Sequence, residues 1–130
     1  MNYQGVIIEE SLDDFSILEE LKILQTKVEK VTPDHKTPWL KQWTLHTVEI
    51  PEDKVDMIAN KISRSFDKQH PNWYADFKND KFHYIIYANK NFRVDWNKPE
   101  EYQAPTNYGI SIGIPEYQVD FAPNTKIWER

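Results

Sequence analysis

The sequence predicts one α+β domain built on a mainly antiparallel sheet, and three observations carry that expectation. Short runs rich in β-branched and aromatic residues recur along the chain. Tight-turn sequences, Lys78-Asn79-Asp80-Lys81 and Asn89-Lys90-Asn91, join the later runs as hairpins. One segment after Pro51 has a clean helical stripe of apolar residues that needs a sheet face to cover it.

The elements follow in order. Residues 3–9 hold Val6-Ile7-Ile8, a short apolar run that suits a strand buried on both faces. Ser11 then precedes Asp13 and Asp14 as an N-cap with first-turn acids, and Leu18 and Leu21 follow at helical spacing, predicting a short helix over 13–21. Over 22–31, Leu24, Thr26 and Val28 alternate with Gln25, Lys27 and Glu29, the pattern of a strand with one wet face. Pro33 and Pro38 bracket Asp34-His35-Lys36-Thr37 as a loop.

Residues 39–50 form the strongest strand signal. Trp43 and Leu45 point one way and Val48 and Ile50 the other, so the strand is either central in the sheet or buried on a face that changes along its length. Pro51, Glu52 and Asp53 open one long amphipathic helix, with Val55, Ile58, Ala59, Ile62 and Phe66 on its apolar stripe and Pro71 as its far limit. Runs at 72–77, 82–87 and 92–95 read as a three-stranded meander. Residues 99–108 have helical character that Gly109 would end with a left-handed cap and that Pro105 should shorten; the tail after about 115 reads as irregular.

Composition bounds the function. At 130 residues one core is expected, and the order of elements shows no repeat or linker. Aromatic residues reach 14%, with 5 Trp, 7 Tyr and 6 Phe, which means a bulky core or a stacking surface. Cysteine is absent, so disulfides, thiolate chemistry and Cys-ligated zinc are excluded. That absence fits the cytoplasm, as does a beginning without a basic leader or a membrane-length apolar run. A net charge of −5, from 16 basic and 21 acidic residues without visible clustering, argues against a nucleic-acid partner.

Chemistry-bearing motifs are sparse. No nucleophile elbow, phosphate loop or dinucleotide fingerprint occurs, and Gly109-Ile110-Ser111-Ile112-Gly113 reads as a turn rather than a membrane or phosphate motif. His35, His46, His70 and His83 show no ligand spacing, so neither a metal nor a cofactor is expected. His46 is the candidate acid or base because a strand fixes its position, with Asp76 as its candidate carboxylate and His83 or Tyr84 as further neighbours. The ordinary reading beside it is a core histidine. Trp39, Trp43, His46, Trp73 and Tyr84 are the candidate lining of an aromatic cleft for a small molecule or a peptide, against the reading that they are core. A third expectation is a homo-oligomer that pairs through a sheet edge.

Two stretches, residues 35–50 (HKTPWLKQWTLHTVEI) and 108–121 (YGISIGIPEYQVDF), resemble a small group of uncharacterised prokaryotic proteins of about this length. The resemblance runs over most of the chain. It implies a bacterial or archaeal cytosolic setting and transfers no functional residue, because no activity is assigned to that group.

Overall fold

A computed structural model describes residues 2–32, 39–70, 72–114 and 116–119. The expected loop at 33–38 with His35, the helix limit at Pro71 and the tail beyond 119 lie outside the described residues. Six strands, β1 (Tyr3–Ile8), β2 (Lys22–Lys30), β3 (Gln42–Ile50), β4 (Tyr74–Lys78), β5 (Phe82–Tyr87) and β6 (Lys90–Asp95), form one sheet in the order β2-β3-β1-β4-β5-β6. Every neighbouring pair is antiparallel. The α+β expectation with an antiparallel sheet therefore holds.

β1 sits in the middle of the sheet because it has little polar surface to give to water. Tyr3, Val6, Ile7 and Ile8 are buried, so both faces of the strand are covered. Gly5 stands where β4 comes closest: a Cβ there would lie 2.8 Å from Phe77 Cα, so only hydrogen fits. β3, on the other side of β1, is likewise internal and buries Leu45, Val48 and Ile50 from its two faces.

Pro51 leads through a 3-10 turn, Glu52–Lys54, into helix α1 (Val55–Ser65). Its expected stripe is the buried one, Val55, Ile58, Ala59 and Ile62, and Phe66 follows it into the core. Burying each large apolar side chain is worth about 1.5–3 kcal/mol, which is what holds the helix on the sheet. Two further ties fix it: Ser63 Oγ donates to the carbonyl of Tyr87 at 2.7 Å, and Tyr84 Oη donates to Asp56.

The β4-β5-β6 meander turns twice. Asn79 Oδ1 accepts from the backbone N–H groups of Lys81 and Phe82, and Asn89 takes φ 59° between Tyr87 and Lys90, a left-handed conformation asparagine tolerates. A second helical segment, a 3-10 turn at Pro99–Tyr102 continuing as α2 (Gln103–Ser111), builds a separate core of Ile85, Tyr87, Val94, Tyr102, Ile114 and Val119.

Four expectations change. The segment after β1 is two 3-10 turns, Glu9–Ser11 and Phe15–Glu20, and not an α-helix over 13–21. Asp14 caps the second by accepting from Ser16 N–H at 2.9 Å, while Ser11 is buried and donates to the Ile8 carbonyl. Of its buried apolar residues, Leu12, Ile17 and Leu21, the last two have helical spacing but Leu12 does not, so no apolar stripe runs the length of the segment. β2 is an edge strand exposed on nearly its whole length, with a register shift between Ile23 and Gln25 that breaks its alternation.

α2 passes through Gly109 and ends two residues beyond it, at Ser111; Gly113, at φ 95°, is the left-handed residue. The Ile114 N–H bonds the Gly109 carbonyl and the Gly113 N–H the Ile110 carbonyl, which together close the helix end. Pro105 falls in the first turn of α2, where its missing N–H is tolerated. With its 3-10 lead, α1 is similar in length to the 99–111 segment, so no single long helix stands out.

Candidate functional site

The sequence candidates separate into three groups. Trp39, Trp43 and Trp73 gather at one end of the sheet, where β3 and β4 begin. Trp73 packs edge-on to Trp39 with ring centroids 6.5 Å apart and tilted against Trp43 at 5.6 Å. His70 joins them, stacked flat on Trp39 at 3.7 Å and 8°. Its Nδ1 lies 2.6 Å from Asp67 Oδ2. Partial burial of Asp67 works against its ionisation, but the hydrogen bonds from His70 and from the Gln69 N–H outweigh it and hold the carboxyl below its usual range.

Exposure grades this cluster from a wet edge to a dry one. Trp39 is 43% exposed and Trp73 only 5%. The Trp73 indole N–H is buried and, among the described residues, has no hydrogen-bond acceptor. A donor in that position costs about 1–3 kcal/mol relative to a satisfied one.

His46 lies on the other side of the sheet from Trp43, since residues three apart on a regular strand face opposite ways. Its Nε2 is 3.0 Å from Glu9 Oε1 and its Nδ1 2.9 Å from Thr26 Oγ1. Glu9 is placed by its neighbour: Glu10 accepts from the Thr44 N–H at 2.5 Å and from Thr44 Oγ1 at 2.8 Å, pinning the 3-10 turn after β1 against β3.

Asp76 does not reach His46. Ile7 pairs with His46 and Val6 with Asp76, and adjacent residues of β1 face opposite ways, so the two side chains lie on opposite faces of the sheet. Asp76 instead holds His83, with Oδ2 2.8 Å from Nε2, and His83 Nδ1 is 3.0 Å from Tyr102 Oη. A carboxylate only accepts, so His83 donates from Nε2, and in the neutral imidazole Nδ1 accepts a hydrogen bond from the Tyr102 hydroxyl. Asp76, His83 and Tyr102 are all buried, and burial, together with Asp76 and Asp95, pushes the Tyr102 phenol up. This network ties the 99–102 turn to the sheet.

Tyr84 is also apart from the tryptophans. It is buried against Tyr3, ring centroids 5.2 Å apart, and bonds Asp56 of α1; burial and that carboxylate raise its phenol. Of the five residues expected to line one cleft, three meet, and His46 and Tyr84 serve other contacts.

A depression of about 570 Å³ opens between β6 and the 99–111 segment, lined by Phe92, Arg93, Glu100, Glu101, Gln103 and Asn107 among others. None of the candidates lines it, and Arg93 stands over the Phe82 ring at 4.7 Å. Among the described residues no group of three or more His, Asp or Glu could hold a metal ion, and no helix is long and apolar enough to cross a membrane.

Sequence reasoning missed Glu9, Thr26, His70 and Asp67. The Asp67-x-x-His70 spacing was the one local signal available, because i,i+3 partners meet across a turn. Glu9 and Thr26 had none, since strand pairing alone brings them to His46. Comparison with known proteins finds no matching family model, no matching curated protein and no matching solved structure.

Proposed function

We propose that this protein is a binding module whose tryptophan cluster takes a flat or ring-shaped apolar ligand bearing one hydrogen-bond acceptor, either a small molecule or a peptide side chain. The single observation that carries the reading is the buried Trp73 N–H, without an acceptor among the described residues, beside the exposed Trp39 ring. Aromatic surface next to one well-placed polar group is the usual make-up of a ligand site. An acceptor brought to that N–H recovers the cost of leaving it unpaired. Stacking of His70 on Trp39, with Asp67 behind it, sets the orientation of the exposed ring before a ligand arrives. A prokaryotic cytoplasmic setting is part of the same proposal.

The test is a thermal-shift screen of aromatic acids, heterocycles and short tryptophan- or tyrosine-containing peptides, followed by titration of indole fluorescence. A hit should be lost in Trp39→Ala. In Trp73→Phe, which keeps a ring but removes the donor, it should weaken by about 1 kcal/mol, roughly fivefold. A ligand that binds both variants as tightly as the native chain would place its site elsewhere and end the proposal.

A further inference from the structure

We infer that Thr26 is an acyl-accepting nucleophile, activated by His46 and Glu9, with small activated esters as its class of substrate. The inference is independent of the tryptophan cluster and rests on three features of the edge of the sheet.

The first is the direction of the hydrogen bonds. Glu9, as a carboxylate, only accepts, so the 3.0 Å contact requires the His46 proton on Nε2. In the neutral imidazole Nδ1 is then a bare acceptor, to which the Thr26 hydroxyl donates across 2.9 Å. A hydroxyl donating to an imidazole whose far nitrogen is held by a carboxylate is the arrangement that makes an alcohol nucleophilic. His46 is nearly covered, with a side chain 9% exposed, while Thr26 is an exposed residue of the edge strand, so the base is shielded and the residue that carries the hydroxyl faces solvent.

The second feature is the phase of the β2 ladder. Val31 N–H bonds the Lys41 carbonyl at 3.1 Å, so residues 29 and 27 also turn their backbone groups toward β3, while 28 and 26 turn theirs outward. The Thr44 N–H, opposite Val28, accordingly points away from β2 to Glu10. The N–H groups of Thr26 and Val28 thus lie along the edge of the sheet that no described strand pairs. The Thr26 N–H, on the residue that carries the attacking oxygen, is the donor for the oxyanion of a tetrahedral intermediate; the Val28 N–H lies about 6.6 Å farther along the extended strand, too far to share that oxygen.

The third is apolar surface on the same side of β2. Ile23, Thr26 and Val28 pair with Val48, His46 and Thr44, which share one face. Ile23 is 42% and Val28 58% exposed, flanking the hydroxyl with surface for a short acyl chain.

The step balances without a cofactor. Thr26 Oγ1 bonds the ester carbonyl carbon as its proton passes to His46 Nδ1; Glu9 stabilises the imidazolium. The C–O bond to the leaving alcohol breaks, that alcohol takes the proton, and Thr26 is left acylated. Water, deprotonated by the same nitrogen, releases the acid and restores the hydroxyl.

The experiment is incubation of the native chain with p-nitrophenyl butyrate, following p-nitrophenolate release and locating the acyl group by peptide mass spectrometry. The expected result is a butyryl group on Thr26 and release at least about 100-fold faster than in Thr26→Val, the size of effect a positioned base gives. Glu9→Gln should slow the reaction and shift its pH profile while the fold, followed by circular dichroism, is unchanged. Acylation of Lys27 or another amine instead, or release by Thr26→Val at the native rate, would overturn the assignment.

Discussion

Gly5→Ala tests the packing on which the whole sheet depends. The added Cβ would lie 2.8 Å from Phe77 Cα and 2.6 Å from Phe77 Cδ1, and closer still to the carbonyl oxygen of Asp76. Carbon atoms in good contact sit about 3.5–4.0 Å apart, so β1 and β4 must separate by about 1 Å. Two of these three neighbours are backbone and have no rotamer to change. Gly5↔Phe77 is also the middle of the three pairs that join β1 to β4, so opening it strains the only ladder between the two halves of the sheet. Overpacking at about 1–3 kcal/mol, with one or two ladder hydrogen bonds at about 1 kcal/mol each, gives a loss of about 3–4 kcal/mol. For a chain of this length each kcal/mol is worth about 4 °C, so the midpoint of thermal unfolding should fall by roughly 12–16 °C. Gly113→Ala is the matched control. Its Cβ would meet nothing within 4 Å, and only its φ of 95° penalises it, by about 1–2 kcal/mol. Melting curves by circular dichroism on both variants decide the matter: a Gly5→Ala midpoint within about 4 °C of the native one, or a Gly113→Ala that is the less stable of the two, would refute the reasoning.

Three further outcomes are expected. Tyr102→Phe keeps the ring beside His83 but leaves Nδ1 without its donor, at about 1–3 kcal/mol by chemical denaturation; combined with Asp76→Asn the losses should not add, because the three side chains form one network. Asp67 has its carboxyl held below the usual range, so its stabilisation is complete above about pH 5 and lost as pH falls through about 3.9 and below; the melting difference between native and Asp67→Asn should shrink over that window, and a difference constant with pH would exclude the His70 contact as its source. Ile62→Ala, at a fully buried position of α1, should cost about 2–5 kcal/mol in a urea titration, whereas a loss under 1 kcal/mol would mean that α1 does not hold the core.

What the sequence made legible was local. The stripe from Val55 to Phe66 could face only a sheet, and Val6-Ile7-Ile8 could be comfortable only inside one, because each pattern has a single period and too much apolar surface for water. The alternation over β2 misled for the opposite reason: Leu24, Thr26 and Val28 have the right parity for a buried face, but what buries a strand is a neighbouring layer, which sequence parity does not report. The sites were less legible than the fold. Asp76, the candidate carboxylate for His46, lies one β1 residue out of phase with it, and one step along a strand exchanges the faces. The partners it lacked, Glu9 and Thr26, are separated from His46 by 37 and 20 residues and meet it only through registers that three different strands set together.

The distribution of cover explains why the candidate chemistry collects where it does. β4, β5 and β6 have α1 on one side and the 99–111 segment on the other, and in that half the ionisable groups Asp76, His83 and Tyr102 are shut away from water and spend their hydrogen bonds on one another. Among the described residues no such layer lies over β2, so Thr26, Ile23 and Val28 stay in contact with solvent although the strand pairs with β3 on both sides of its bulge. The beginnings of β3 and β4 lie between these regimes, and Trp39 with Trp73 spans them, one ring wet and the other dry. A buried histidine with a carboxylate is consequently a tie in one half of this sheet and, in the other, the base of the proposed Thr26 chemistry. The imidazoles of His83 and His46 have the same kinds of partner, a carboxylate on Nε2 and a hydroxyl on Nδ1; Asp76 and Tyr102 are buried, whereas the Glu9 side chain is 42% exposed and Thr26 is an exposed residue.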